Sequence, residues 1–346
     1  MAHVPLKVGL IGYGMAGQTF HAPLLATTPG LHLAAIASSK PDLVQADWPN
    51  TPVVATPADL LALPELDLVV IATPNATHAA LAAAALAADK HVVVDKPFTL
   101  TLAEAEALRA EAEQRELVLA VFHNRRWDAD FLTLRQLLIE GQLGRVVHYE
   151  SHFDRYRPLV RDRWREQPGP GSGVWYDLGP HLLDQALQLF GPPEALWADL
   201  AAQRDGAVSD DYFHVVLRYG PLRVILHAAT LVAATGPRLI VHGTAGSYVK
   251  SGLDPQEAAL RAGERPDSPT WGHDPNPGTL TTYQGDTAQT RLVPGLPGTY
   301  PAFYAGVRDA IHGLGPNPVP ASEAMQVMAL LELAQRSAAE RCEVTP

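Results

Sequence analysis

The feature that most constrains this chain is a glycine-rich turn set directly between a short apolar run and an alanine-rich segment. Leu6–Ile11 is the run, and Gly12-Tyr13-Gly14-Met15-Ala16-Gly17 follows it without a gap. The order of strand, glycine turn and helix is typical of a dinucleotide-binding βαβ unit. Gly12 permits the tight turn, Gly14 lets a pyrophosphate approach the backbone, and Gly17 lets the helix pack on the strand. Glycines also punctuate many unrelated strand–helix turns, so the surrounding pattern decides the interpretation.

The first 124 residues alternate short apolar runs with helical segments, as a parallel sheet covered on both faces requires. The predicted strands are Leu6–Ile11, His32–Ala37, Thr51–Ala55, Asp67–Ala72, His91–Val94 and Leu117–Phe122, and the predicted helices are Met15–Thr28, Pro57–Leu63, Ala76–Ala88 and Leu102–Glu116. Thr101 and Glu104 have the spacing of a capping box for the last helix. The pattern predicts a doubly wound α/β domain of the Rossmann type over residues 1–124.

The pattern changes after Asn124. Helices are predicted over Asp128–Glu140, Tyr176–Phe190 and Ser322–Arg341, and a strand over Val146–Phe153. Tightly connected strands between Ala195 and Lys250 predict a mainly antiparallel sheet, and the Gly- and Pro-rich residues 252–298 are interpreted as loops on it. Residues 125–346 are therefore predicted to form a second, α+β domain.

Charge and composition limit the classes of partner. The 346 residues include 26 basic and 37 acidic side chains, and a net charge of −11 does not suit a surface that neutralises nucleic-acid phosphates. Cys342 is the single cysteine, which forbids an internal disulfide and suits a reducing cytoplasm. No apolar run reaches the roughly 20 residues of a bilayer span, and Leu6–Ile11 is too short for a signal core. We expect a cytoplasmic protein that binds neither nucleic acid nor membrane.

The end of the second predicted strand bears on the choice of dinucleotide. An NAD site has an acidic residue there, about 20 residues beyond the glycines, that accepts from the ribose 2′-OH. This chain has Ser38-Ser39-Lys40, whose hydroxyls and cation suit a 2′-phosphate. Asp42 follows Pro41 and is expected in the first turn of a short helix. Ser38–Lys40 is also compatible with a solvated loop, but its chemistry favours NADP over NAD.

Two further turns follow predicted strands, at the sheet edge where a doubly wound fold binds its ligand. In Thr73-Pro74-Asn75, the asparagine suits either a cofactor contact or the N-cap of the next helix. His78, three residues later, is either buried beside a cofactor or simply exposed. In Asp95-Lys96-Pro97, the lysine must keep its ammonium solvated or paired. It is either a surface lysine beside a turn or a group that binds a substrate hydroxyl and stabilises a developing alkoxide.

A carboxylate and an imidazole follow the glycine-rich loop of residues 168–173. If Asp177 opens a helix, His181 lies one turn on and on the same face, with Pro180 in the first turn. The carboxylate can then orient the imidazole while the other ring nitrogen takes a proton. The same spacing occurs in ordinary salt bridges at helix starts. No third ligand for a metal is evident beside this pair, so no metal site is predicted.

Together and in this order, these motifs resemble the glucose–fructose oxidoreductase/inositol dehydrogenase (Gfo/Idh/MocA) family over nearly the whole chain. The family usually has Glu-Lys-Pro where this chain has Asp95-Lys96-Pro97, which bears on the support of the lysine more than on the lysine itself. The resemblance extends to the family's NADP-dependent scyllo-inositol dehydrogenase branch through residues 21–25, 123–128, 155–158, 163–166 and 176–179.

The resemblance implies a Rossmann domain and a C-terminal domain whose open antiparallel sheet packs against its copy in a homodimer or homotetramer. It implies reversible hydride transfer between NAD(P) and a carbon of a sugar or cyclitol, with Lys96, Asp177 and His181 on the catalytic positions. Trp164 and Arg165 fall near the segment that reaches the nicotinamide end, and Arg125 is counted with the cofactor-binding residues.

We therefore predict an NADP-dependent dehydrogenase of a cyclitol or sugar, with scyllo-inositol as a candidate substrate. A non-catalytic nucleotide-sensing regulator is the alternative from another class, although such a protein has no need of a proton-transfer set. A glycosidase that holds NAD tightly is a third hypothesis, and Ser38–Lys40 counts against it. The predicted cofactor-binding residues are Gly12, Tyr13, Gly14, Met15, Ala16, Gly17, Ser38, Ser39, Lys40, Thr73, Pro74, Asn75, His78, Asp95, Lys96, Arg125, Trp164 and Arg165.

Overall fold

A computed structural model describes residues 4–346, which divide into two compact units. The first unit is the chain up to Trp127 together with Gln256–Trp271 and Thr299–Met325. The second unit is Asp128–Pro255, Gly272–Gly298 and Gln326–Pro346. The division into functional domains at residues 124 and 125 stays a prediction. The structure adds that two later segments return to the first unit.

The helices and strands have the following bounds. The helices are α1 Ala22–Thr27, α2 Pro41–Asp47, α3 Pro57–Leu61, α4 His78–Ala87, α5 Leu102–Gln114, α6 Ala129–Ile139, α7 Gly173–Phe190, α8 Gln256–Arg261, α9 Pro301–Ile311 and α10 Ala321–Glu340. The strands are β1 Leu6–Ile11, β2 Leu31–Ala37, β3 Val53–Val54, β4 Leu68–Ile71, β5 His91–Val94, β6 Leu119–Val121, β7 Val146–His152, β8 Ala195–Ala201, β9 Tyr212–Tyr219, β10 Leu222–Ala229, β11 Leu239–Gly243, β12 Gly246–Lys250, β13 Gly278–Gln284 and β14 Thr287–Val293.

The first unit is built on a six-stranded parallel sheet with the order β3-β2-β1-β4-β5-β6. All four residues of β4 are buried, as continuous apolar runs in a sheet covered on both faces must be. The strand order reverses between β1 and β4, which is where doubly wound sheets bind their ligands. The capping box at Thr101 and Glu104 is present at α5. The predicted Rossmann arrangement is confirmed.

The second unit is built on an eight-stranded sheet with the order β14-β13-β12-β11-β7-β10-β9-β8. Only β7 and β10 pair in parallel, so the prediction of a mainly antiparallel sheet is confirmed. The helix α7 covers one face, where Trp175 contacts Phe213 and Phe190 contacts Tyr149, with ring centroids 4.9 and 5.4 Å apart. Alternate residues of the strands point to the opposite face.

The interpretation of residues 252–298 as loops is wrong. This segment contains α8, which belongs to the first unit, and the hairpin β13–β14, which extends the sheet of the second unit. Six of the seven residues of β14 are exposed because it is an edge strand. The apolar alternation that marks a half-buried strand is therefore missing from its sequence.

Among residues 4–346, the structure contains no helix of the length and apolar character that a bilayer crossing requires.

Candidate active site

The glycine turn lies at the carboxyl end of β1, beside the end of β4. Gly12 has a φ of +98°, and a methyl group there would lie 2.5 Å from the carbonyl oxygen of Ala72. A methyl group at Gly17 would overlap the carbonyl oxygen of Gly12. At Gly14 the position of an added Cβ has no heavy atom within 4 Å. Two glycines therefore serve the packing of the turn, and the third leaves backbone open to a ligand, as a pyrophosphate requires.

The segment after the turn is helical, as predicted, but it is wound in two ways. Residues 15 and 16 are α-helical, Gly17–His21 forms a π-helix, and α1 continues from Ala22. The backbone N–H of Gln18 donates to the carbonyl of Gly14 at 2.8 Å. Met15 is 44% exposed beside the open Gly14. The turn fits a bound dinucleotide.

The side chain of Tyr13 is engaged in the protein. Its hydroxyl donates to Asp47 at 2.8 Å and accepts from the indole N–H of Trp48 at 2.8 Å. Burial, followed by the neighbouring Asp47 carboxylate, raises the pKa of the Tyr13 phenol far above its ordinary value. The side chain thus anchors the glycine turn to α2, and only the backbone of Tyr13 is left for a cofactor contact.

Ser38-Ser39-Lys40 joins β2 to α2. The Ser38 hydroxyl accepts from the backbone N–H of Lys40 at 3.0 Å, while Ser39 and Lys40 are exposed. Asp42 lies in the first turn of α2, as expected. Hydroxyl groups and a cation, rather than a carboxylate, therefore follow the strand that bears the selective group of a dinucleotide site.

His78 is fully buried and lies between two turns. Its Nε2 is 3.0 Å from the carbonyl oxygen of Thr73, and its Nδ1 is 2.9 Å from that of Pro97. Of the two alternatives for His78, the structure therefore shows burial. Because both partners are backbone carbonyls, the imidazole holds the Thr73 turn and the Lys96–Pro97 turn at a fixed separation.

Asn75 is not the N-cap of α4. Residues Asn75–Thr77 first wind as a 3₁₀ helix, with Pro74 at its N-cap, and the α-helix begins only at His78. Asn75 is buried at the carboxyl edge of the sheet, which is compatible with the other reading, cofactor contact.

Lys96 directly follows β5 and is half-buried. Its backbone N–H donates to the buried carboxylate of Asp95 at 2.9 Å. The carboxylate lies 3.8 Å from the Nε2 of His21, whose Nδ1 is 2.5 Å from the hydroxyl of Tyr304 on α9. Burial alone would raise the pKa of Asp95, but His21, Lys96 and His78 lower it below its ordinary value. The turn that carries Lys96 is thus supported by a buried, charged carboxylate.

His21 and Tyr304 were not among the predicted site residues. They lie 283 positions apart in the chain, and nothing in the spacing of either residue signals the contact. α9 itself was not predicted, although its aromatic residues Phe303 and Tyr304 are fully buried.

Arg125 lies in a 3₁₀ helix just after β6 and is buried. It pairs with Glu257 of α8 at 2.8 Å. Arg261, one turn further along α8, pairs with the same Glu257 at 2.9 Å and lies 3.6 Å from the Sδ of Met15. α8 therefore connects Arg125 with the glycine turn inside the first unit. Glu257 and Arg261 are further candidate cofactor contacts, missed because residues 252–298 were interpreted as loops.

Asp177 and His181 both lie on α7 of the second unit, at the predicted spacing. The expectation that Asp177 opens this helix is wrong, because α7 begins at Gly173 and Pro180 lies in its interior. The earlier start is stabilised by Asp210, whose carboxylate accepts from the backbone N–H of Trp175 at 2.6 Å. Asp177 is half-buried and His181 is buried, so one turn of α7 presents them on one face.

Arg165 lies against Asp177. Its Nε is 3.5 Å from the carboxylate, and its guanidinium carbon is 4.6 Å from the ring centroid of Trp164, which is 38% exposed. The structure thus brings three predicted residues of the second unit together. Two of them, Arg165 and Asp177, border a cavity whose charged lining residues are Arg155, Arg157, Arg163, Arg165, Glu166, Asp177, Arg204 and Asp210.

Two carboxyl groups of this cavity, Glu166 and Asp210, have pKa values shifted in opposite directions. Burial would raise the pKa of Glu166, but the backbone N–H of Arg161 and the guanidinium groups of Arg163 and Arg204 lower it. Burial raises the pKa of Asp210 to about 6. Glu166 therefore stays ionised, and Asp210 takes up a proton in mildly acidic solution.

The fold and these residues define a nicotinamide-dependent oxidoreductase. Residues 6–123 match the family model described as "Oxidoreductase family, NAD-binding Rossmann fold", and residues 135–345 match the one described as "Oxidoreductase family, C-terminal alpha/beta domain". The chain belongs to the Gfo/Idh/MocA family of NAD(P)-dependent dehydrogenases, which act on small molecules.

Several relatives match nearly the whole chain. The uncharacterized oxidoreductase YdgJ of Escherichia coli is 59% identical, with 97% of each chain covered. The scyllo-inositol 2-dehydrogenase (NADP(+)) IolW of Bacillus subtilis is 40% identical, with 97% of this chain and 94% of the enzyme covered. The crystal structure of an oxidoreductase from Bacillus cereus has a TM-score of 0.89 at 32% identity, with 99% of this chain and 98% of that one covered.

Proposed function

We propose that this protein is an NADP-dependent dehydrogenase that oxidises a secondary alcohol of a cyclitol or sugar, with scyllo-inositol as the first candidate. The observation that carries the proposal is the chemistry of the turns at the carboxyl ends of β1 and β2. Gly14 leaves its backbone open to a pyrophosphate, and β2 ends in Ser38-Ser39-Lys40 instead of a carboxylate. The 40% identical scyllo-inositol 2-dehydrogenase (NADP(+)) supports both the cofactor and the substrate class.

The cofactor supplies a hydride acceptor when it is bound. The backbone of residues 12–17 would hold its pyrophosphate, and the Ser38 and Ser39 hydroxyls and the Lys40 ammonium would hold its 2′-phosphate. The 2′-phosphate suits this position because Lys40 is exposed. Its ammonium is hydrated without the cofactor, and the phosphate would replace that water.

His181 is proposed as the general base. It accepts the proton of the substrate hydroxyl as the hydride leaves the carbon that bears this hydroxyl. In the reverse reaction it returns the proton to the oxygen. Asp177, on the same face of α7, orients the imidazole and stabilises its protonated form. Lys96 donates a hydrogen bond to the reacting oxygen and so stabilises its alkoxide character.

The cavity beside Asp177 suits a substrate with several hydroxyl groups. Its walls combine guanidinium donors, among them Arg155 and Arg165, with the carboxylate acceptor of Asp177. A hydroxyl group both donates and accepts, so each hydroxyl of a polyol can hydrogen-bond with either kind of group in this cavity.

The test is a pair of variants, His181→Asn and Lys96→Met, assayed with NADP and scyllo-inositol. Loss of a general base lowers kcat by about 10²–10⁴-fold. We expect this loss for His181→Asn with an unchanged Kd for NADPH. The control is His32→Asn, an exposed histidine on β2 that should keep wild-type kcat. Near-wild-type turnover in both active-site variants would refute the assigned roles.

We also propose that the chain assembles as a homodimer or homotetramer through the open face of the eight-stranded sheet. Trp197 of β8 points to this face and is 39% exposed, a large apolar group that a partner would bury. Light scattering on the purified protein tests the assembly. A Trp197→Glu variant should dissociate it, and a wild-type mass equal to one chain would refute it.

A further inference from the structure

A cluster of histidines and carboxylates lies on the sheet of the second unit, apart from Asp177 and His181 in the sequence. His152 ends β7 and His227 lies in β10, and the two residues are register partners in the parallel pair. Asp154 follows two positions after His152, and its carboxylate accepts from the backbone N–H of Ala229 at 3.1 Å. The pairing of β7 with β10 therefore fixes all three side chains next to one another.

Three ligand atoms converge within this cluster. The Nδ1 of His152 is 3.5 Å from one oxygen of Asp154, and the Nε2 of His227 is 3.4 Å from the other. All three ligand atoms lie within 4.8 Å of one another. A charge-assisted hydrogen bond measures about 2.7–2.9 Å, so both separations are too long for one. Two ligands of a tetrahedral ion with bonds of about 2.0–2.2 Å lie about 3.4 Å apart, close to the separation of each imidazole nitrogen from the Asp154 oxygen that it faces.

Glu150 sets the orientation of His152. Its carboxylate oxygen lies 2.8 Å from the Nε2 of His152, and because a carboxylate only accepts, the proton is on this nitrogen. In the neutral ring the lone pair is then on Nδ1, directed at Asp154. A histidine that donates its outer N–H to a carboxylate while its other nitrogen faces a ligand set is the usual arrangement around a bound transition metal.

We propose that His152 Nδ1, His227 Nε2 and the Asp154 carboxylate bind a divalent transition-metal ion of the Zn²⁺ class. Two imidazoles and one carboxylate select ions such as Zn²⁺ or Co²⁺ over Mg²⁺ and Ca²⁺, which prefer oxygen ligands. The side chains of His152, Asp154 and His227 are 23%, 11% and 16% exposed in the single chain, so an ion can reach them before chains assemble through this sheet face.

The site leaves room for a fourth ligand. A cavity beside His152 and Asp154 is lined by Thr235, Gly236, Pro237, Arg238, Gly252 and Leu253. A water molecule in the cavity completes a tetrahedral shell.

The experiment is a Co²⁺ titration of untagged, chelator-treated, full-length protein, followed by the visible d–d absorption of four-coordinate cobalt. We expect one Co²⁺ per chain, displaced by Zn²⁺ but not by Mg²⁺. Asp154→Asn and His227→Gln should abolish the spectrum, and Glu150→Gln should weaken binding by about 10–100-fold. Circular dichroism of each variant shows that the fold is kept.

Two further variants locate the ion. His242→Gln removes a histidine of the same sheet face that bonds to Ser247 at 2.8 Å, outside the cluster, and it should bind like the wild type. His181→Asn should also bind like the wild type. The proposal is overturned if the wild type gives no one-per-chain spectrum, if Asp154→Asn keeps it, or if His181→Asn loses it.

Discussion

Alanine at Gly14 and at Gly17 separates the binding role of the glycine turn from its folding role. At Gly14 the new methyl group meets no heavy atom within 4 Å, and φ is outside the left-handed range. The free energy of unfolding should therefore stay the same or rise by up to about 0.4–1 kcal/mol, because alanine reduces the entropy of the unfolded chain. At Gly17 the methyl group overlaps the carbonyl oxygen of Gly12, and such overpacking costs about 1–3 kcal/mol.

Thermal unfolding and NADPH titration by fluorescence measure the two effects. For a domain of about 150–250 residues, 1 kcal/mol shifts Tm by about 2–4 °C, so Gly17→Ala should melt several degrees lower. Gly14→Ala should match or exceed the wild-type Tm without cofactor. Its Kd for NADPH should rise at least about tenfold, or 1.4 kcal/mol, because the methyl group occupies the approach of the pyrophosphate.

The matched control is Gly315→Ala, where the nearest heavy atom, the Cβ of Asp309, lies 3.9 Å away. This variant should match or exceed the wild-type Tm, as Gly14→Ala does, and should keep the wild-type Kd. Wild-type affinity for NADPH in a folded Gly14→Ala protein would mean that no pyrophosphate approaches this backbone. The assignment of the cofactor to the glycine turn would then be wrong.

Three further predictions concern single side chains. Lys40→Ala should weaken NADPH binding by about 10–100-fold, because it removes a charge-assisted contact worth about 1.5–3 kcal/mol. NADH lacks the 2′-phosphate, so its binding should not change. Equal losses of affinity for NADPH and NADH in parallel titrations would contradict the 2′-phosphate role of Lys40. Tyr304→Phe should lower the free energy of unfolding by about 1–3 kcal/mol, and with it the Tm, because the buried His21 loses its hydroxyl partner. An unchanged Tm would count against this contact. Asp210 has its pKa raised from 3.8 to about 6, so the folded state binds the proton more tightly and loses up to about 3 kcal/mol as pH rises through this window. The Tm of Asp210→Asn relative to the wild type should therefore be higher at pH 8 than at pH 5, and a pH-independent difference would refute this.

The Rossmann half of the fold could be predicted because its signals are local. Each buried parallel strand is a continuous apolar run, and each functional turn directly follows one. Gly12, Ser38, Thr73 and Asp95 thus reach one sheet edge by strand order alone. The Asp177 and His181 spacing was found for the same reason, because i and i+4 are neighbours on any helix, whichever residue begins it.

The remaining features depend on contacts between distant parts of the chain. Nothing local shows that α8 returns to the first unit, so the pairing of Arg125 with Glu257 could not be predicted. The hairpin β13–β14 lacks apolar alternation because its edge strand faces solvent. The cluster of His152, Asp154 and His227 requires the parallel pairing of β7 with β10, which joins strands 75 positions apart in register.

The most direct test of the central claim is the absorbance of the reduced nicotinamide with purified enzyme and a substrate panel. The panel holds scyllo-inositol, myo-inositol, glucose and xylose with NADP or NAD, and the matching ketones with NADPH. We predict turnover with at least one cyclitol or sugar, and a higher kcat/KM for NADP than for NAD. Binding of NADPH without turnover on any compound would contradict the assignment of a polyol dehydrogenase.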